Sequence, residues 1–167
     1  MITVKFLPAK IQSDFLAVET LAFPIWREHY TPIIGAAQVE YMLQQRQTAK
    51  ALEAQVRQGD LYYLIQNSEG EKVGFLSVAY RPEELFLSKL YLLKSQRGKG
   101  LARKALEFIK GLAQEKGLKR IILTVHKRNP SVKVYEALGF QILGPVVTDI
   151  GGGYVMDDYR MGLGLLK

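Results

Sequence analysis

The sequence predicts an α/β fold: one domain over residues 1–167, with a mixed, mostly antiparallel twisted sheet flanked by helices. Three observations carry this reading. Between Leu85 and Ala113 an apolar, strand-like run ends near Leu93 and a short basic turn with Gly98 and Gly100 follows. From Leu101 the apolar residues recur at helical spacing, as Leu101, Ala102, Ala105, Leu106, Ile109, Leu112 and Ala113. The apolar run Arg120–Val125 comes next, so strand, helix and strand form one parallel crossover unit, while turn-rich connectors make the remaining strands antiparallel hairpins.

Taken in order, Ile2–Leu7 alternates as a first strand stopped by Pro8. Ile11–Phe23 carries helical spacing, with Ser13-Asp14 as its cap and Pro24 as its end. An aromatic-rich connector, Phe23–Pro32, is closed by Gly35, and short helices follow over Val39–Gln45 and Ala49–Gln58. Gly59-Asp60 turns the chain into strands Leu61–Gln66 and Val73–Tyr80, joined by the hairpin loop Asn67–Glu71. Pro82-Glu83 leads into the central strand. Gly117 caps the long helix, Asn129-Pro130 opens a short helix through Leu138, and Gly139 stops it. Phe140–Val147 and Tyr154–Leu163 form a last hairpin around Gly151-Gly152-Gly153.

Composition narrows the classes. A chain of 167 residues can bury a sizeable core, and 48% apolar content describes a globular rather than a disordered protein. No apolar run approaches a membrane span, the start lacks a signal-peptide pattern, and there is no cysteine. A cytoplasmic protein without a metal site is the expectation, since His29 and His126 are the only histidines. The net charge of +7 is local: residues 94–133 hold 12 Lys and Arg against 2 acidic residues, and the rest holds 11 against 14. A basic nucleic-acid-binding domain is one rival reading, but no helix-turn-helix, zinc-finger or RNA-binding signature accompanies the patch.

The basic turn carries the chemistry. A helix mouth presents unpaired N–H groups and the positive end of a dipole, and both favour phosphate. Gly98 and Gly100 allow close backbone approach there, and Arg97, Lys99, Arg103 and Lys104 add charge. The stretch is neither a Walker loop nor a Gly-x-Gly-x-x-Gly fingerprint. Arg97-Gly98-Lys99-Gly100-Leu101-Ala102 instead resembles the Arg/Gln-x-x-Gly-x-Gly/Ala signature of the GNAT (Gcn5-related) N-acetyltransferases, and Leu90-Tyr91-Leu92 resembles that family's Leu-Tyr-Val strand. Ser131–Phe140, with its Tyr-Glu-Ala-Leu-Gly-Phe ending, is similar to the family's second signature.

The resemblance implies acetyl-CoA as cofactor and direct transfer of acetyl to an amine, whether a polyamine, another small amine or a protein N-terminus. It implies that Leu90, Tyr91 and Leu92 hold the pantetheine arm and that Arg97, Gly98, Lys99, Gly100, Leu101 and Ala102 hold the pyrophosphate. Tyr135 stands at the family's general-acid position, where a phenol can protonate the departing thiolate. Read without the family, it is an amphipathic-helix tyrosine with a wet hydroxyl. Asn129 is both a good N-cap before Pro130 and a coenzyme contact by the family's pattern, although that pattern's asparagine would fall at Arg128.

A carboxylate base is missing from the central strand, where Phe86 and Ser88 stand; a water on Ser88 or on a carbonyl is the expectation, with His126 as an alternative. Glu84 lies at the strand's start. Trp26, Tyr30 and Ser88 are expected on the substrate side, with His29 and Tyr41 beside them and the carboxylates Asp149, Asp157 and Asp158 in the last hairpin. The expected partner is a small-molecule or peptide amine, with no nucleic acid and no membrane; a homodimer is compatible with the sequence. Without the missing carboxylate, a non-catalytic sensor of coenzyme A or acyl-CoA is the second rival. The layout also resembles, more distantly, bacterial spermidine/spermine-type acetyltransferases.

Overall fold

The structure, a computed structural model, describes residues 3–165. Its strands are β1 (Lys5–Pro8), β2 (Leu61–Gln66), β3 (Lys72–Tyr80), β4 (Glu84–Leu92), β5 (Arg120–His126), β6 (Gln141–Gly151) and β7 (Tyr154–Gly164). They form a seven-stranded sheet in the order β1-β2-β3-β4-β5-β7-β6. Every neighbouring pair is antiparallel except β4 and β5. Helices α1 (Gln12–Ile34), α2 (Ala36–Arg46) and α3 (Ala49–Arg57) precede β2, α4 (Leu101–Glu115) joins β4 to β5, and α5 (Ser131–Ala137) follows β5.

The sheet is covered on both faces, each by its own apolar core. Leu101, Ala105, Leu106 and Ile109 of α4 pack with Leu85, Leu87, Ile121 and Leu123 on one face. Phe15, Val18, Trp26 and Tyr30 of α1 pack with Leu43, Leu52, Tyr62 and Phe75 on the other. Strict alternation on β4 would send Leu90 and Leu92 to the wrong face, because they sit an odd number of positions from Leu85 and Leu87. A bulge repairs this: Val78 pairs with Leu87 and Ser77 with Lys89, leaving Ser88 opposite no residue of β3. The four leucines then share the α4 face, while Phe86, Lys89 and Tyr91 look toward α1.

The helix expected to stop at Pro24 continues to Ile34, so the aromatic connector is helical and contains both Pro24 and Pro32. A proline inside a helix costs about 3 kcal/mol. Beyond Pro24, however, Ile25, Trp26, Tyr30 and Ile33 are all buried, and each contributes roughly 1.5–3 kcal/mol. Burial outweighs the withheld backbone bonds. At the other end Ile11, not Ser13-Asp14, precedes the first turn; the Asp14 carboxylate accepts from the N–H groups of Lys10 and Ile11 at 2.9 and 3.1 Å. The first strand includes Pro8 and starts at Lys5; Ile2, expected to open it, lies outside the described residues. Strand β6 runs four residues past the expected Val147, to Gly151.

Candidate active site

The parallel ladder between β4 and β5 ends where Leu87 pairs with Leu123. Beyond that point the two strands diverge, and the edge of β4 from Ser88 to Leu92 has no strand partner on the β5 side. A cleft opens in the gap. It is lined by residues 87–92 of β4, by Leu123, Thr124 and Val125 of β5, and by His29, Tyr30, Arg97, Asn129, Ser131 and Tyr135. Leu90, Leu92 and Leu101 put their side chains into the core, so these positions offer a ligand mainly backbone.

At the outer end of the cleft the chain passes through one 3-10 turn (Lys94–Gln96) and enters α4. Gly98 and Gly100 adopt φ of 76° and 79°, the left-handed region that glycine enters without steric penalty. Among the described residues, no acceptor takes the backbone N–H of Gly98, Lys99, Gly100, Leu101, Ala102 or Arg103. The chain is exposed at Gly98, Lys99, Gly100 and Arg103. These open amides at a helix N-terminus suit a diphosphate. The Arg97 guanidinium turns inward instead: Nε and Nη2 donate to the Leu92 carbonyl at 3.2 and 3.1 Å, and Nη2 lies 2.9 Å from Glu28. Arg97 therefore braces the turn against α1 and β4.

Asn129 is 5% exposed, and its Oδ1 accepts from the Ser131 amide at 2.8 Å, closing the first turn of α5. The same oxygen lies 3.0 Å from His29 Nε2, so that nitrogen carries the hydrogen and donates. Burial lowers the His29 pKa, which keeps the ring neutral in this arrangement. Tyr135 lies against Phe140 with ring centroids 5.5 Å apart and lines the cleft. Burial, with Tyr30 nearby, raises its pKa, so the phenol keeps its proton. Tyr30 and Tyr91 link hydroxyl to hydroxyl at 2.9 Å, tying α1 to β4; burial pushes Tyr30 up to about 12.

On the α1 side of the sheet a second, larger cavity of about 730 Å³ runs between α2, α3 and the β6-β7 hairpin. Trp26, Tyr30, Tyr41, Ser88 and Tyr91 line it, together with the sheet residues Thr124, His126 and Asp158. Tyr41, on its wall, packs against the glycine turn of the hairpin: a Cβ on Gly152 would stand 2.7 Å from the Tyr41 ring. Cleft and groove share Tyr30, Ser88, Lys89, Tyr91, Thr124 and Val125. They meet at the β4 bulge. All the expected substrate-side residues, Trp26, Tyr30 and Ser88, line the groove.

Two groove residues have surroundings that their place in the sequence does not disclose. Lys89 is not among the sequence-predicted site residues, and alternation without a bulge places it on the α4 face with Leu85 and Leu87. Its ammonium donates to the Tyr62 hydroxyl and to Gln55 Oε1 at 3.3 Å, and burial pushes its pKa down to about 7. Asp158 is one of the three hairpin carboxylates expected on the substrate side. It is 8% exposed, and its Oδ1 has no hydrogen-bond partner among the described residues. Its register partner His126, an alternative base in the sequence, accepts the Arg128 amide on Nδ1 at 3.1 Å. In the neutral ring Nε2 then holds the hydrogen, and no lone pair is left to take a proton. Glu84 is occupied by Arg120, Arg81 and Arg160 at 3.1, 3.6 and 3.8 Å.

Comparison with known proteins shows the family and the fold. A model of the acetyltransferase (GNAT) family matches residues 22–140. A curated relative, the uncharacterized N-acetyltransferase YdgE of Bacillus subtilis (strain 168), is 33% identical over 84 residues, which are 47% of this chain and 54% of the relative. The match thus spans about half the length of that relative. Among solved structures, the PaiA N-acetyltransferase of Thermoplasma acidophilum in complex with coenzyme A aligns with a TM-score of 0.75 at 18% identity, covering 99% of both chains. A GCN5-related N-acetyltransferase from Rhodopseudomonas palustris gives 0.79 at 13%, covering 98% of this chain and 95% of the other. The spermidine N-acetyltransferase of Vibrio cholerae, in complex with CoA and spermine, gives 0.68 at 16%, with 98% and 95% covered.

Proposed function

Because the chain belongs to the acetyltransferase (GNAT) family, we propose that it transfers acetyl directly from acetyl-CoA to an amine seated in the groove beside the β4 bulge. The observation that carries this is the junction of the two cavities at Tyr30, Ser88, Tyr91, Thr124 and Val125, with the open amides of Gly98–Arg103 at the cleft's far end. In this reading the amides and the basic rim hold the diphosphate, and the unpaired edge of β4 orients the pantetheine arm. A β4 N–H group meets the thioester oxygen as negative charge develops there. The neutral Tyr135 phenol gives its proton to the departing thiolate. With no cysteine in the chain, transfer runs directly from thioester to amine.

The groove's charge narrows the acceptor. Arg46, Arg81, Lys89 and Arg160 line it against Asp60 and Asp158. Arg81 and Arg160 are paired with Glu84, which leaves Arg46 and Lys89 to meet a carboxylate and Asp158 to meet an amine, so an amine that also carries a carboxylate is matched at both ends. Free amino acids and peptide N-termini with an acidic side chain are of this kind.

Two measurements test the reading. Acetyl-CoA should raise the melting temperature of the protein in a concentration-dependent way. Thiol release with a panel of neutral, anionic and polycationic amines should then be fastest for the anionic members. Stabilisation without turnover of any amine would favour the coenzyme sensor. The absence of stabilisation would remove the transferase reading itself.

A further inference from the structure

We propose that Asp158 is the base of this site, taking up the proton that the acceptor amine sheds as it attacks; the assignment rests on the transferase reading above. A carboxylate in water is surrounded by donors, and burying one without them costs several kcal/mol. Asp158 is 8% exposed, and its Oδ1 has no donor among the described residues. Its position is not a by-product of packing. On β7, Tyr159, Met161 and Leu163 face the α4 core, while Met156, Asp158 and Arg160 face the groove. The residue that lands deepest on the polar side, opposite His126 and near the Tyr30–Tyr91 hydroxyl pair, is the one whose carboxylate lacks a partner. An ammonium or amine N–H entering from the groove supplies the missing donor.

The other groups facing this carboxylate leave it the task. Tyr30 from α1 and Tyr91 from β4 are held in the neutral phenol form by burial. Lys89 on β4 is committed to Tyr62 and Gln55, and His126 on β5 has its Nδ1 filled. Arg160 on β7 reaches toward Glu84, at 3.8 Å. Burial and the adjacent Asp157 push the Asp158 carboxyl up to about 6, so it is ionised at neutral pH yet more basic than an ordinary aspartate.

The step balances. The amine nitrogen bonds to the acetyl carbon while one N–H proton passes to Asp158, the carbon–sulfur bond breaks, and the sulfur takes the proton of Tyr135. Proton exchange through the groove restores the acid form of Tyr135 and the base form of Asp158. The products are the amide and the free thiol.

The test uses the wild-type chain, Asp158→Asn and Asp158→Glu, with acetyl-CoA and the best amine of the panel, from pH 5 to pH 9. Asp158→Asn should bind acetyl-CoA within about threefold of wild type, and its kcat should fall about 100-fold or more. The ionisation near pH 6 in the wild-type kcat/KM profile should vanish in this variant. Asp158→Glu should recover part of the rate together with a shifted ionisation. A kcat for Asp158→Asn within about threefold of wild type, with the same profile, overturns the assignment while leaving the transferase intact. Should the variants fail to fold, a wild-type profile with no ionisation between pH 5 and pH 8 overturns it equally. A wild type that turns over no amine removes the transferase reading and this assignment with it.

Discussion

Asp158 and His126 face one another across β7 and β5, and the groove treats them in opposite ways. His126 is satisfied by the Arg128 amide, whereas Asp158 Oδ1 is left without a partner. Side chains in one register pair, equally buried, thus carry opposite consequences for stability: one is anchored, the other is destabilised in its charged form.

The stability effect has a definite sign. The Asp158 carboxyl is raised from 3.8 to about 6 on folding, so the native state holds its proton over a range where the unfolded chain has released it. Stability therefore falls as pH rises from about 4 to 6 and stays lowered above. His126 and His29, whose pKa values are lowered by burial, act the other way below pH 6.5, so the variant difference isolates the aspartate. Asp158→Asn should be more stable than wild type at pH 8, by an amount on the order of 2–3 kcal/mol, and show no advantage at pH 4. Thermal melts at the two pH values check it.

Lys89 should govern acceptor choice. Its ammonium has two donors committed, to Tyr62 and Gln55, and one left toward the groove. Lys89→Met should raise KM for anionic amines about 10- to 100-fold, as expected for losing a charge-assisted hydrogen bond, and change it little for neutral amines. Because the pKa is lowered to about 7, wild-type KM for anionic amines should climb as pH rises through 7, and this climb should be missing in the variant. Steady-state kinetics at pH 6 and pH 8 decide it.

Much of this architecture was legible beforehand, and the exceptions have physical causes. The strand–turn–helix around Gly98 and Gly100 is written in local chemistry, since positive φ, helical periodicity and basic charge all lie within one stretch. The hairpins are equally local. What escaped depended on distant parts of the chain. Pro24 reads as a stop signal unless one knows that Trp26 and Tyr30 find a core against Tyr91. Lys89 falls on the α4 face unless the bulge at Ser88 is known, and that bulge brings Leu90 and Leu92 back to the α4 face. Asp158 stands nearly 70 residues after Lys89 in the same groove, and only the insertion of β7 beside β5 brings it there.

Tyr135 should act in the chemical step and not in binding. Its phenol is kept neutral by burial, and its ring is already held by Phe140. Tyr135→Phe keeps that packing and removes only the hydroxyl. The expected result is a kcat reduced about 100-fold with KM for acetyl-CoA changed by less than about threefold. Equal activity would take this residue out of the mechanism.

The mouth of α4 should be sensitive to backbone conformation alone. A Cβ on Gly100 meets nothing within 4 Å, so Gly100→Ala introduces no clash, but φ of 79° costs a non-glycine residue about 1–2 kcal/mol. The variant should lose about that much stability. It should also bind acetyl-CoA about tenfold or more weakly, as the open amides shift. Calorimetric titration together with a denaturation curve separates the two effects.

The bulge itself permits a sharper experiment. Val78 pairs with Leu87 and Ser77 with Lys89, so deleting Ser88 leaves an unbroken antiparallel ladder with every other side chain on its present face. Leu85, Leu87, Leu90 and Leu92 stay in the α4 core, and Lys89 and Tyr91 stay toward α1. The deletion should therefore fold, with circular dichroism unchanged and a melting temperature within several degrees of wild type. What it removes is the local bend at which β4 leaves β5 and at which the cleft and the groove meet. Turnover should fall about 100-fold or more, since misplacing the reacting groups by about 1 Å already costs that much. A folded deletion variant with wild-type kcat would show that the bulge serves core register alone and that the reacting groups meet elsewhere in the cleft.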